Sequence, residues 1–308
     1  MTLPHLGITK LSSIPNMKML LLRAGLKRSS YGQKEFSETS LPRNKFYYDG
    51  FQLDEPTYRL YHQVVNWGLG AEIIHPCYLH ALAFPLHIKL LLLPEFPFPL
   101  LGLVHVKNQI TQVRPIKKGE KLAATSCFGP LELHPKGWLF SIKVEFYNGS
   151  ELVWQSVSTN LFRTTHDQAI YPIAKYSVAT FAHSVNTSWE LSTSLGRRYA
   201  KVSGDFNPIH LTKWTAKLFG FKQHIIHGMW TKSYCVSALQ KVNPKWFSQA
   251  FEFNTTFKQP LYLPNKVNMA VQPLESGSAD DEQHFQVLGI GANDEQRPLH
   301  LMGHIRAI

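Results

Sequence analysis

Apolar and polar residues alternate over several stretches of the chain, with the period of two that is typical of half-buried β-strands. The longest example is WLFSIKVEF at 138–146. Its apolar residues share one face: Trp138, Phe140, Ile142, Val144 and Phe146. The same pattern marks 251–257, 267–271 and 299–305. Each half of the chain is therefore predicted to end in several long strands.

Longer apolar stretches predict one main helix in each half, at 77–93 and at 229–242. The entries to these helices are nearly identical, since IIHP at 73–76 is matched by IIHG at 225–228. After the helices, VRPIKKGEKL in the first half is matched by KQPLYLPNKV in the second. These matches indicate an internal repeat of about 120 residues. A helix followed by antiparallel strands, twice over, predicts an α+β fold in which each helix is wrapped by a sheet.

The repeat sets the predicted domain boundaries. A polar N-terminal extension covers 1–45, a first repeat 46–165, a linker 166–194 and a second repeat 195–308. A chain of 308 residues, 44% hydrophobic and 17% charged, has the composition of an ordinary globular protein and can bury a sizeable core. Disorder over most of the chain is excluded.

The cysteines and the apolar segments predict a cytoplasmic protein. Cys77, Cys127 and Cys235 are scattered and show no CxxC spacing, so neither a disulfide framework nor a thiolate metal site is expected. The short apolar run near the N-terminus does not resemble a secretory signal. The most apolar stretch of the chain is interrupted by four prolines, so no membrane span is expected.

A net charge of +11 and a pI near 9.5 point to a polyanionic partner. Nucleic acid, an anionic membrane, or a phosphate-bearing carrier such as coenzyme A or an acidic carrier protein would each fit. The chain has no block of five or more basic residues, and FEFNTTFK does not interleave basic and aromatic residues. No nucleic-acid partner is therefore expected.

The stretch SGDFNPIH at 203–210 carries the candidate chemistry. Asn207 and Pro208 form a good helix entry, so a capped surface turn is one interpretation. Asp205 and His210 are also residue types that can take a proton from one atom and return one to another. Gly228 begins the main helix of the second half, where its N–H can stabilise a developing enolate or carbonyl oxygen. The three elements together fit proton abstraction next to a carbonyl.

The segment YAKVSGDFNPIHLTKWTAKLFGF, followed by IIHGMWTK, resembles the MaoC-like, hydratase-2 group of 3-hydroxyacyl-thioester dehydratases and (R)-specific enoyl-CoA hydratases. The resemblance is strong over residues 195–275. It implies a double hotdog, in which a degenerate N-terminal hotdog pairs with a catalytic C-terminal one. It also implies an acyl-CoA or acyl-carrier-protein thioester as substrate, with no cofactor beyond that carrier.

The resemblance also implies residue roles. Asp205 and His210 would be the catalytic dyad, and the Gly228 N–H the oxyanion donor. Asn207 would orient the dyad or its water. Further orienting or pocket residues are expected at four positions: Ser203, His227, Met229 and Trp230.

The first repeat is predicted to have lost this chemistry. Counting back from Pro76 by the intervals that separate Gly228 from His210 and Asp205 reaches Tyr58 and Leu53. Proline also has no N–H to donate at the position of the glycine. One active site per chain is therefore expected, with the first repeat as a partner surface that accommodates the acyl tail. A further homodimer is possible.

Two alternatives remain open. A non-catalytic acyl-thioester-binding hotdog module would lack a working dyad. A hotdog thioesterase would place a carboxylate on the central helix, whereas 229–242 contains neither Asp nor Glu. A metal site is not expected, because His210, His224 and His227 match no standard zinc spacing.

Overall fold

The computed structural model describes residues 2–3, 7–27, 31, 41–53, 56–70, 72–100, 102–165, 185–273, 282–291 and 297–308. The helices, numbered along the chain, are α1 (Met17–Leu26), α2 (Thr57–Val65), α3 (Tyr78–Leu91), α4 (Leu195–Ser203), α5 (Lys213–Lys217) and α6 (Gly228–Val242). The strands are β1 (Thr2–Leu3), β2 (Ile8–Lys10), β3 (Lys45–Gln52), β4 (Val104–Gln112), β5 (Lys121–His134), β6 (Gly137–Asn148), β7 (Glu151–Arg163), β8 (Val185–Leu191), β9 (Phe251–Phe257), β10 (Asn265–Val271), β11 (Glu282–Gly289) and β12 (Leu299–Ala307). Two 3₁₀ turns lie at Pro208–His210 and Pro244–Ser248.

The chain divides into two compact units, each made of three segments that are separate in the sequence. The first comprises Met1–Leu53, Leu82–Asn108 and Gly119–Lys175, and the second Asp54–Ala81, Gln109–Lys118 and Tyr176–Ile308. The second unit thus takes in α2 and the start of α3, although the sequence repeat places both in the first half. The repeat boundaries at 46–165 and 195–308 stay a prediction.

The first unit contains a sheet in the order β1-β2-β3-β5-β6-β7, followed by the first part of β4. β2 and β3 are parallel, while β3, β5, β6 and β7 pair antiparallel. The alternation predicted for 138–146 is confirmed, because Phe140, Ile142, Val144 and Phe146 are all buried in β6. Phe140 packs against Phe96 and Phe98, so the core of this unit is strongly aromatic.

The second unit contains an antiparallel sheet in the order β9-β12-β11-β10-β8. The predicted central helix is confirmed as α6, and most of its residues are buried on all sides. α2 contacts both α4 and α6. The strands predicted at 251–257, 267–271 and 299–305 are confirmed as β9, β10 and β12.

Two segments differ from the sequence-based expectation. The extension at 1–45 contains β1, β2 and α1, whose first turn is capped by the Asn16 side chain. Of the predicted linker at 166–194, residues 166–184 lie outside the described residues, and Val185–Leu191 forms β8 on the edge of the second sheet. Among the described helices, none is long and apolar enough to span a membrane.

Candidate active site

The SGDFNPIH stretch forms the turn between α4 and α5. α4 ends at Gly204, whose positive φ of 76° suits a residue without a Cβ. The Asn207 side chain then accepts a hydrogen bond from the Ile209 N–H at 3.4 Å, which confirms the predicted cap. Pro208 opens the 3₁₀ turn that carries His210. The chain reversal therefore places Asp205 and His210 on one compact turn.

Asp205 is held by its neighbours on both sides. Its N–H donates to Ser203 Oγ at 3.3 Å, and its Oδ1 accepts from the Asn207 N–H at 3.1 Å. The side chain remains partly exposed. Ser203 and Asn207, both predicted as orienting residues, thus lie in direct contact with the candidate acid, but Asn207 contacts it through its backbone.

His210 is buried, and its protonation pattern follows from one contact. Nδ1 lies 2.9 Å from the carbonyl oxygen of Ile225, which can only accept a hydrogen bond. Nδ1 therefore carries the hydrogen, and Nε2 keeps a lone pair. Burial lowers the pKa of His210, an effect that the nearby Asp205 opposes. The ring is thus neutral at neutral pH, as a general base requires.

His227 lies directly against His210. The two ring centroids are 3.7 Å apart, and the rings are inclined by 25°. His227 Nε2 donates to the Asp205 carbonyl oxygen at 2.9 Å and lies 3.9 Å from Asp205 Oδ2. Burial, together with His210, holds the pKa of His227 well below its usual value. His227 therefore ties the start of α6 to the Asp205 backbone.

One atom from each of Asp205, His210 and His227 lies within 4.8 Å of the other two. The structure thus brings together the two residues predicted as a dyad. These three atoms could also ligate a metal ion, as could a second group on β11 and β12: Glu282, His284 and His304. In that group His284 and His304 face each other across the strands, and Glu282 Oε1 lies 3.1 Å from His284 Nε2. The expectation that no metal takes part stays a prediction.

Gly228 is the first residue of α6, so its N–H is among those that have no partner within the helix. A Cβ at this position would lie 3.0 Å from the ring of Phe257. The apolar ring of Phe257 therefore packs closely against the backbone at Gly228.

Sequence reasoning missed Gly196. A Cβ on this residue would collide with the backbone carbonyl oxygen of His210, so the second residue of α4 lies directly against the turn that carries Asp205 and His210. The close approach depends on tertiary packing, and nothing in the local sequence marks it.

Sequence reasoning also missed a buried hydroxyl cluster. Tyr61 Oη, from α2, lies 2.8 Å from Ser233 Oγ on α6 and 3.5 Å from Tyr199 Oη on α4. The Tyr199 ring in turn packs against His227, with centroids 5.0 Å apart. A residue from the first half of the sequence is thus linked to His210 by three successive contacts, through Tyr199 and His227.

The remaining predicted pocket residues are packing positions in this structure. Trp230 is buried, and its indole N–H donates to the Val64 carbonyl oxygen at 3.0 Å. Met229 is also buried. A role for either in substrate binding stays a prediction.

The loop that carries Asp205 and His210 has a shorter counterpart in the first half. Both α2 and α4 end at a residue with positive φ, Asn66 and Gly204. Ile73 follows Asn66 after seven residues, whereas Ile225 follows Gly204 after twenty-one. The positions reached by counting, Tyr58 and Leu53, are buried core residues. The shorter loop leaves no room for a segment like the one that carries Asp205 and His210, and a single active site per chain stays a prediction.

Residues 173–293 match the protein family described as the MaoC like domain. This part of the chain is similar to a MaoC-like dehydratase domain. A curated relative, 3-hydroxyacyl-thioester dehydratase X of Mycobacterium tuberculosis, is 28% identical over 213 residues, which cover 69% of this chain and 74% of the relative. The predicted family is thus confirmed.

Solved structures show the same fold. HtdX of Mycobacterium tuberculosis superposes with a TM-score of 0.70 at 24% identity, over 86% of this chain and 100% of that one. A MaoC-like dehydratase from Phytophthora capsici gives 0.67 at 18% identity, over 87% and 96% of the two chains. Another M. tuberculosis protein, described as having a double hotdog fold, gives 0.55 at 10% identity over 89% and 97% of the two chains. The predicted α+β double hotdog is confirmed.

Proposed function

We propose that this protein catalyses the reversible dehydration of (3R)-hydroxyacyl thioesters to trans-2-enoyl thioesters in fatty-acyl metabolism. The main support for the proposal is that a ring nitrogen of the buried, neutral His210 and a carboxylate oxygen of Asp205 lie within 4.8 Å of each other. The broader class, a hydro-lyase, is confirmed by the MaoC-like domain together with the dehydratase relative.

In the direction of dehydration, the dyad removes one proton from C2 and delivers one to the departing 3-hydroxyl group, which leaves as water. His210 is suited to accept the first proton because burial keeps its ring neutral while Asp205 stabilises the charged form. Hydration runs the same path backward, with the dyad activating water for attack at C3.

The negative charge that develops on the thioester oxygen would be stabilised by the Gly228 N–H. The first N–H groups of a helix point outward at its positive end, and such a donor costs no reorganisation as charge develops. The carrier, coenzyme A or an acyl carrier protein, enters only as part of the substrate. The proposed reaction requires no other cofactor.

Two other functions fit a hotdog fold less well. A thioesterase would use a carboxylate on the central helix, and α6 contains no Asp or Glu. A binding module would have no need for a neutral imidazole and a carboxylate on one turn. Thioester hydrolysis without dehydration would support the first of these functions.

The test is a spectrophotometric assay of hydration with crotonyl-CoA, longer enoyl-CoA thioesters and the same acyl groups on an acyl carrier protein. Turnover of at least one of them is expected. Stereochemical analysis of the product should give the (3R) alcohol. Binding of enoyl thioesters without turnover would overturn the proposal in favour of the binding module.

A further inference from the structure

The charge of the chain is concentrated around the candidate active site. Between Glu190 and Glu252 the sequence contains nine lysines and arginines, and Asp205 is its only acid. Six of these basic residues are exposed on or beside α4 and α5: Arg197, Arg198, Lys201, Lys213, Lys217 and Lys222. A field of one sign at the mouth of a site attracts a partner of the opposite sign.

Large apolar side chains stand among these charges. On and just after α5, Trp214 is 75% exposed and Leu218 is 82% exposed, and they lie one helical turn apart. Lys217 Nζ lies 5.4 Å from the centre of the Trp214 ring. Phe206, next to Asp205, is 42% exposed. We call this set the α5 surface: Phe206, Lys213, Trp214, Lys217 and Leu218.

The α5 surface is fixed to the catalytic turn. Thr212 and Thr215 form a capping box at the start of α5. Thr215 Oγ1 also donates to the Pro208 carbonyl oxygen at 2.7 Å, inside the turn that carries His210. Trp214 is four residues from His210, so their Cα atoms are at most about 14 Å apart. A partner that binds here would hold an attached acyl thioester close to Asp205 and His210.

We propose that the α5 surface docks an acidic carrier protein, which presents the acyl thioester to Asp205 and His210. This inference rests on the proposed function and specifies the carrier. A protein fits better than free coenzyme A, since small molecules are bound in concave sites that bury most of their surface. Trp214 and Leu218 instead protrude, and a tryptophan surrounded by cations is typical of a protein interface that recognises an acidic surface.

The experiment compares two substrates that differ only in the carrier. Crotonyl thioesters of an acyl carrier protein and of coenzyme A are assayed with the full chain, with Lys213→Glu/Lys217→Glu and with Trp214→Ala. Lys241→Glu/Lys245→Glu is the matched control, because it makes the same charge change at exposed positions outside the α5 surface. Binding of the crotonyl carrier protein is measured separately by surface plasmon resonance at low and high salt.

Both α5-surface variants should bind the carrier protein at least tenfold more weakly and lose kcat/KM on it by a similar factor. Rates with crotonyl-CoA should stay within about twofold, and the control should match the native chain. Equal loss on both substrates, loss on the CoA thioester alone, or no loss would each overturn the proposal. If the native chain turns over neither substrate but binds the carrier protein with this pattern, the docking stands and the proposed reaction fails.

Discussion

His210 and His227 stack with ring centroids 3.7 Å apart, and each ring donates one N–H to a backbone carbonyl oxygen. The two contacts fix opposite tautomers, with hydrogen on Nδ1 of His210 and on Nε2 of His227. Two positive charges so close in a buried site would repel each other strongly. In the proposed mechanism, His227 is therefore expected to stay neutral while His210 takes up and returns a proton.

Changing either member of the dyad should remove most of the activity. Asp205→Asn and His210→Gln are each expected to lower kcat by about 10² to 10⁴, the usual contribution of acid–base catalysis. The measurement is enoyl-thioester hydration, with circular dichroism to verify folding. Tyr58→Phe, at the position reached by counting back from Pro76, should retain native turnover. Near-native rates in a folded Asp205→Asn or His210→Gln protein would exclude the mechanism.

Gly228→Pro should remove the proposed oxyanion donor while keeping the helix that begins at this residue. Proline is tolerated in the first turn of a helix and the extended His227 before it suits a proline, but the N–H is lost. A fall in kcat of about 10² to 10³ is expected, as for loss of one oxyanion donor. Gly228→Ala is the control, since it keeps the N–H while meeting the same Phe257 ring. Equal rates for the two variants would contradict the assigned role.

Gly196→Ala, in α4, should displace the turn that carries Asp205 and His210. The new methyl group would push against the His210 carbonyl oxygen, and such overpacking costs about 1 to 3 kcal/mol of unfolding free energy. Lower kcat is expected at temperatures where the protein remains folded. Gly25→Ala, in α1, has open space around its new methyl and should not lower stability. Urea unfolding and steady-state kinetics measure both effects.

Acidification should destabilise the protein at pH values well above those at which its carboxylates are protonated. Burial lowers the pKa of His62 and of His87 to about 4, and lowers those of His75, His210 and His227. In the unfolded chain these groups take up protons below about pH 6.5. The unfolded state then binds more protons than the folded one, so stability is lost as the pH falls from 6.5 towards 4.

The size of this effect is up to about 1.4 kcal/mol per pH unit for each such histidine. The free energy of unfolding, measured in urea at pH 7.5 and 5.5, should therefore fall clearly. His87→Leu, on the apolar α3, should reduce the dependence on pH, while His284→Gln at an exposed position should not. A free energy that is constant between pH 7.5 and 5.5 would show that these histidines are protonated in the folded state.

Sequence periodicity was sufficient to predict β6, β9, β10, β12 and the two main helices, because each buries one consistent face or is buried throughout. The turn at 203–210 could also be predicted from the sequence, because a capping residue and a proline act locally. α1 was missed because it is a short element in a segment rich in proline and serine.

Contacts between distant segments were beyond the reach of sequence reasoning. Gly196 matters only because His210 folds back onto α4, and Tyr61 only because α2 packs on α6. Neither approach follows from spacing along the chain. The tautomer of His210 could not be predicted either, because it depends on the carbonyl oxygen of Ile225, fifteen residues away.

The contact between Tyr61 and Ser233 has a consequence for how the repeat could diverge. In an assembly of two identical chains, every substitution appears on both sides of the symmetry axis and must suit both. Here the two copies are covalently joined, so Tyr61 has no requirement to match the residue that occupies its counterpart in the other copy. A covalently joined pair can therefore carry a long loop between residues 204 and 225 in one copy and a short one between residues 66 and 73 in the other.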